Sequence, residues 1–358
     1  TTIGVLTTGQ VRGVTATQIE SLTTTQQAGL TSSQIKVLTT SQVKGLTATH
    51  IQNLNTSQVG ALTTGQIATL TFTQISGLAS TAIGVLTTTQ VKGVTATQIE
   101  ALTTTQMAAV TSTAIGVLST GQVKGFSVTL VAGLSGTQVQ GLASAHIGAL
   151  TSTQIKGFSS TQIGLFAATQ IKGLSSWQID ALTTAQIGGL ESTAVGLLST
   201  AQMRGLGSTL VASLSTTQMS GLTYTLIKQL SNTQLGGLHV AHVASLSTTQ
   251  VTGLTRGHIR GFTSTQMGGL TTTQIASFAT AQTSGLTSTQ ITGFSTTQLE
   301  GLTTTLVKAL ATAQINGFTT THMAALTVTQ ESALTTQQVA ALTTTQMDGL
   351  SSTLVAAL

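Results

Sequence analysis

Apolar residues recur along this chain with a fixed period of eight. Every eighth residue from Leu6 to Leu358 is apolar: 35 Leu, 7 Phe and 3 Val over 45 occurrences. The residue three positions earlier is aliphatic or Met in 42 of 45 units, and only Gln27, Thr283 and Glu331 break the rule. The slots can be lettered on Thr7–Val14. Slot a is Thr or Ser (Thr7), b and c are small and polar, and d is Gln (Gln10). Slot e is Val11, f is variable (Arg12), g is small (Gly13) and h is Val14. Slot d is Gln in 31 of 45 units, and no insertion shifts the phase. Such discipline marks a stack of equal units in which each repeat buries its apolar side only against its neighbours.

The spacing selects the element. Slots e and h lie alternately three and five residues apart, so they fall on opposite faces of a strand and no flat strand buries both. One continuous helix fails as well, because eight residues turn it about 800° and the stripe drifts about 80° per unit. A short helix in each octad fits. Thr7 and Gln10 form Thr-x-x-Gln, in which the Thr hydroxyl caps the helix and Gln reaches back to the cap N–H. Leu6 and Val11 then stand where a hydrophobic staple stands. Thr15 with Gln18 and Thr183 with Gln186 repeat the capping pair. Gly or Ala in slot g marks where the helix must stop and where neighbours approach closely.

The expected fold is therefore an all-α superhelix: a solenoid of 8-residue units, each a short capped α-helix. Its core is built from slots e and h, for example Leu6, Val11, Val14, Ile19, Leu22, Leu182, Ile187 and Leu190. The alternative is a β-solenoid with Thr and Gln ladders, favoured by the abundance of Thr, Val and Ile. Helices this short do not persist alone, so packing between turns must supply most of the stability.

No linker interrupts the pattern, so residues 1–358 read as a single continuous solenoid of about 45 octads. A longer period is superimposed on roughly residues 1–215. Residues 5–22 recur 80 positions later as residues 85–102, and the charges at Arg12, Lys92 and Lys172 follow the same step. Duplication of a ten-octad block accounts for this. Ten octads filling a whole number of turns would also return like charges to one face. The apolar slots run to both ends (Ile3 and Leu6, Val355 and Leu358), which suggests a segment of a longer repeat chain or a unit that continues end to end.

Composition narrows the function. There is no Cys and no Pro, and only 5% of residues are charged. The formal charge of +5 is spread singly, with 11 of the 12 Lys and Arg in slot f. Nucleic-acid partners usually require clustered Lys and Arg, so none is expected. Polar slots interrupt any apolar run long enough to span a membrane. Catalytic, cofactor-binding and metal sites are not expected. Five of the six His (His50, His146, His242, His258 and His322) stand in slot d, where they replace Gln as the capping partner. His239 and His242 are three apart, but zinc needs three or four ligands and the nearby acids are too few. Trp177, Tyr224 and Phe72 interrupt the small polar slots and are expected at the surface.

The unit L-T-x-x-Q-[IV]-x-x-L in forty-odd copies resembles the Thr/Gln-rich short-repeat tracts of large bacterial surface proteins, of adhesin or extracellular-fibre type. The resemblance is compositional. It implies a non-enzymatic structural protein outside the cell or on its surface, forming a rod, filament, sheath or stalk and partnered by itself. An adhesin or ice-binding face of regular Thr and Ser arrays is the alternative.

Overall fold

The computed structural model describes residues 3–350. After a single turn of 3-10 helix at Ile3–Val5, it contains 43 α-helices of four to six residues, from Thr8–Gly13 to Thr344–Met347, and no strand among the described residues. The fold is an all-α repeat solenoid, and the strand alternative is excluded. Val355 and Leu358 lie outside the described residues.

Each helix is set by its own octad. Slot a takes an extended conformation and serves as N-cap, as Thr95 does at φ −83° and ψ 160°. The helix begins in slot b and ends in slot e, f or g, and slots h and a carry the chain across to the next. The start does not depend on the hydroxyl alone. At Ala79 and Ala279 no side chain caps the helix, and Ser80 and Thr280 do not take over the role, yet both helices begin in slot b as usual.

Helices three octads apart lie against each other, and side-chain bonds reach backbone 25, 28 and 31 residues away. One turn of the coil therefore takes between three and four octads. Slots e and h face inward. Ile51, Ile147, Ile227 and Ile259 in slot e are wholly buried, and slot h follows with Leu150 and Leu302 at 1% exposure. Among the core positions named from the sequence, Val11, Ile19, Leu182, Ile187 and Leu190 are buried, while Leu6, Val14 and Leu22 are half-buried. Slot f is the outward slot: Arg12, Lys44, Lys92 and Lys172 are exposed. Phe72, Trp177 and Tyr224 are exposed too.

Glycine in slot g has one role rather than two. No described residue has positive φ, so the helices do not end in left-handed caps. What slot g provides is closeness between turns. A Cβ on Gly45 would stand 2.5 Å from the carbonyl oxygen of Ala16, and one on Gly141 would stand 2.6 Å from that of Ser112. The backbone of one turn rests on slot b of the turn before it.

Contacts group the chain into two compact units, Thr1–Leu182 and Thr183–Leu358. Each repeats the same construction. In the first unit Gln98 ties its turn to Ile67 and Leu70, and in the second Gln266 ties its turn to Leu235 and Leu238.

Candidate functional site

The feature that recurs with most chemical precision is the side chain in slot d. At Gln98 the local half is the capping box: Gln98 N–H donates to Thr95 Oγ1 at 3.2 Å, and Thr95 N–H donates to Gln98 Oε1 at 2.8 Å. The far half reaches the preceding turn, where Gln98 Nε2 donates at 2.7 Å to the carbonyls of Ile67 and Leu70. Gln98 is 3% exposed, so the buried amide spends its acceptor at home and its donors abroad. The same pair of long bonds, 31 and 28 residues back, recurs at Gln66, Gln138 and Gln178 in the first unit, and at Gln250, Gln290 and Gln338 in the second. Slot d is thus a seam of amides joining turn to turn. It supplies the donor for the slot-h carbonyl and a second donor for the slot-e carbonyl, which already accepts from the slot-h N–H, as Ile67 does from Leu70.

The capping residues named from the sequence sit in this geometry. Thr7–Gln10, Thr15–Gln18 and Thr183–Gln186 each form the two-way capping box. Gln10 and Gln18 are exposed, and among the described residues the first long bonds are made by Gln34, to Ile3 and Leu6.

Histidine keeps the seam with fewer bonds. In His50, Nδ1 accepts from Thr47 N–H at 3.2 Å, and Nε2 lies 2.7 Å from the Leu22 carbonyl. A ring nitrogen facing an N–H is an acceptor, so the proton sits on Nε2 and is donated to the carbonyl. His146 repeats this with Ala143 and Leu118, and His322 with Thr319 and Phe294. Burial holds His242, His258 and His322 below the ordinary 6.5, against the raising effect of their carbonyl partners Leu214, Leu230 and Phe294. His239 adds charge repulsion at His242.

Where slot d lacks an amide or imidazole, the seam is interrupted. Ala82, Ala114, Leu130, Leu210, Leu226 and Leu306 are buried there without any polar group. At Ala143, Ala167 and Ala311 only the returning half of the box remains, from the backbone N–H to His146, Gln170 and Gln314.

The sequence signals only the local half of this arrangement. A clue to the other half is that a capping box accepts Glu as readily as Gln, yet Glu never occupies slot d. Gln and His share what Glu lacks: an acceptor at one position and an N–H donor at another. The three exceptions in slot e are all buried. Thr283 Oγ1 donates to the Ala279 carbonyl at 3.2 Å, and Glu331 is 2% exposed. Gln27 is fully buried, and neither its Oε1 nor its Nε2 has a partner.

Among the described residues, no three His, Cys, Asp or Glu stand together as ligands for a metal ion. His239 and His242, with ring centres 5.3 Å apart, meet as cap and capping partner. No described helix is long and apolar enough to cross a membrane.

No curated protein matches the chain. A family model described as the ALTTAQ repeat matches residues 37–72, which is 36 of 358. The matched stretch carries the seam residues Gln42, Gln58 and Gln66 and the substitute His50. The match and the periodic packing agree that this is a tandem-repeat protein.

Proposed function

We propose that this is a non-enzymatic structural repeat protein, whose turns of octads continue by stacking into a longer scaffold of rod or filament type. One observation carries the reading: the bond that joins successive turns needs no special partner, only another turn of the same octad. Gln10 and Gln18 keep the capping geometry but are exposed, so their amides are available to carbonyls of a further turn. Gln26, half-buried, completes that first turn. A further turn could come from more of the same repeat or from a second copy. Head-to-tail contacts that do not close into a ring extend as open filaments. Exposed slot-f charges of both signs, spread singly, leave little net repulsion between copies.

Sedimentation of the chain over a range of concentrations tests the proposal. Linear self-association is expected, and it should be lost in the triple variant Gln10→Ala, Gln18→Ala, Gln26→Ala while the helical content is kept. A chain that stays monomeric throughout, or a variant that associates as the parent does, would overturn it.

A further inference from the structure

The inward face of slot h is closed almost everywhere. From Leu30 to Leu326, only Leu86, Leu102 and Val110 are half-exposed in this slot. All three line one hollow in the first unit, together with Val94, Met107 and Phe126.

Three sequence features meet there. First, slot h is Val only at Val14, Val94 and Val110, so two of the three short residues fall in one wall. A valine in place of leucine leaves space that a rigid neighbourhood does not refill. Second, two interruptions of the seam fall on this place. Ala114 and Leu130 occupy slot d where Gln would hold the carbonyls of Ile83 and Leu86, and of Ile99 and Leu102. The turns that flank the hollow therefore lack two of the amide pairs that pin turns elsewhere, while Gln106, Gln122 and Gln138 keep theirs. Third, slot e here carries Met107, whose unbranched thioether adapts its shape to irregular space.

The hollow measures about 40 Å³, and its lining side chains are all apolar. A water needs roughly 10–15 Å³ of such space but also two to four polar partners, and an engineered apolar cavity of about 150 Å³ stays dry and takes benzene or xenon. Space alone would admit water here; the lining does not hold it. We infer that this hollow is a binding site for a small apolar molecule without hydrogen-bonding groups, of the size of a xenon atom or a short hydrocarbon. The guest enters between Leu86, Leu102 and Val110 and rests against Met107.

Xenon titration of the full chain labelled with ¹³C at the methionine methyls tests this. Met107 is the first of six methionines and the only one before Met203, so its resonance reports on the hollow alone. Its methyl signal should move and saturate with xenon pressure while the other five hold still. The double variant Val94→Leu, Val110→Leu restores the commonest slot-h residue at both positions. It should fold, melt higher than the parent and abolish the shift. A Met107 signal that does not move would overturn the inference. So would one that moves equally in the filled variant, or six signals that drift together without saturating.

Discussion

A single slot-d glutamine does two jobs, and substitutions can separate them. Thr95→Ala removes one capping bond and should cost about 1 kcal/mol. Gln98→Ala leaves the buried Leu70 carbonyl without its donor and takes one of two donors from the Ile67 carbonyl, which keeps the Leu70 N–H, and should cost roughly 1–3 kcal/mol. Because both residues belong to one network, the double variant should lose less than the sum. Gln98→His should be tolerated best, since His at other octads keeps the cap bond and the bond 28 residues back. Gln98→Glu keeps the cap acceptor but turns oxygen toward the carbonyls of Ile67 and Leu70, and should be the worst of the three. Melting temperatures of these variants order the effects; a Glu variant as stable as the parent would contradict the seam. Gln27 gives the converse. Its buried amide bonds to nothing, so Gln27→Ile should stabilise by about 1–3 kcal/mol in denaturant titration. The imidazoles make the seam sensitive to acid. His242, His258 and His322 are held below 6.5 by burial, so the unfolded chain takes up protons first as pH falls. Their contribution is fully present above pH 6.5 and is lost as pH falls through 6.5 towards the lower folded-state values. Protonation at Nδ1 also sets an N–H against the cap N–H. The melting temperature should drop between pH 7.5 and 5.5, and replacing all three with Gln should remove that part of the drop.

An octad makes its helix alone but holds it only in company. The local half was legible in the sequence because its partners lie three residues apart: Thr95 and Gln98 announce the cap, and slots e and h announce the inward face. The long half was not, because a bond from Gln98 to Ile67 leaves no local spacing to read. Only the exclusion of Glu from slot d hints at it. Glycine in slot g was legible as a small residue but not as a seat for a neighbouring carbonyl, since that carbonyl comes from three octads earlier. The distinction is testable at the level of the helix. Gly141→Ala places a Cβ against the Ser112 carbonyl and should destabilise. Gly60, in the exposed slot f of helix Thr56–Ala61, has open space around its missing Cβ. Gly60→Ala should therefore stabilise, by up to about 1 kcal/mol, through helix propensity. Thermal melts that move in the same direction for both would contradict the assignment of slot g to turn contacts.

On the scale of the molecule, what distinguishes this chain is the closure of a turn between three and four octads. Bonds spanning 25 to 31 residues set that interval. Three turns in 80 residues would fall within it, which accommodates the longer sequence period as a period of faces. A cysteine scan in this cysteine-free chain tests the closure most directly. Ser32 Oγ donates to the Ser57 carbonyl at 3.2 Å, and Thr272 meets Thr297 in the same way in the second unit. With Ser32→Cys held fixed, a second cysteine can be placed in slot c of four successive octads: Ser41→Cys, Thr49→Cys, Ser57→Cys or Gly65→Cys. The four sites share one slot and differ only in the octad that carries it. The coil described here requires that the disulfide form fastest and most completely with position 57. A disulfide that forms best at 41, 49 or 65 would place the turn elsewhere and contradict the account.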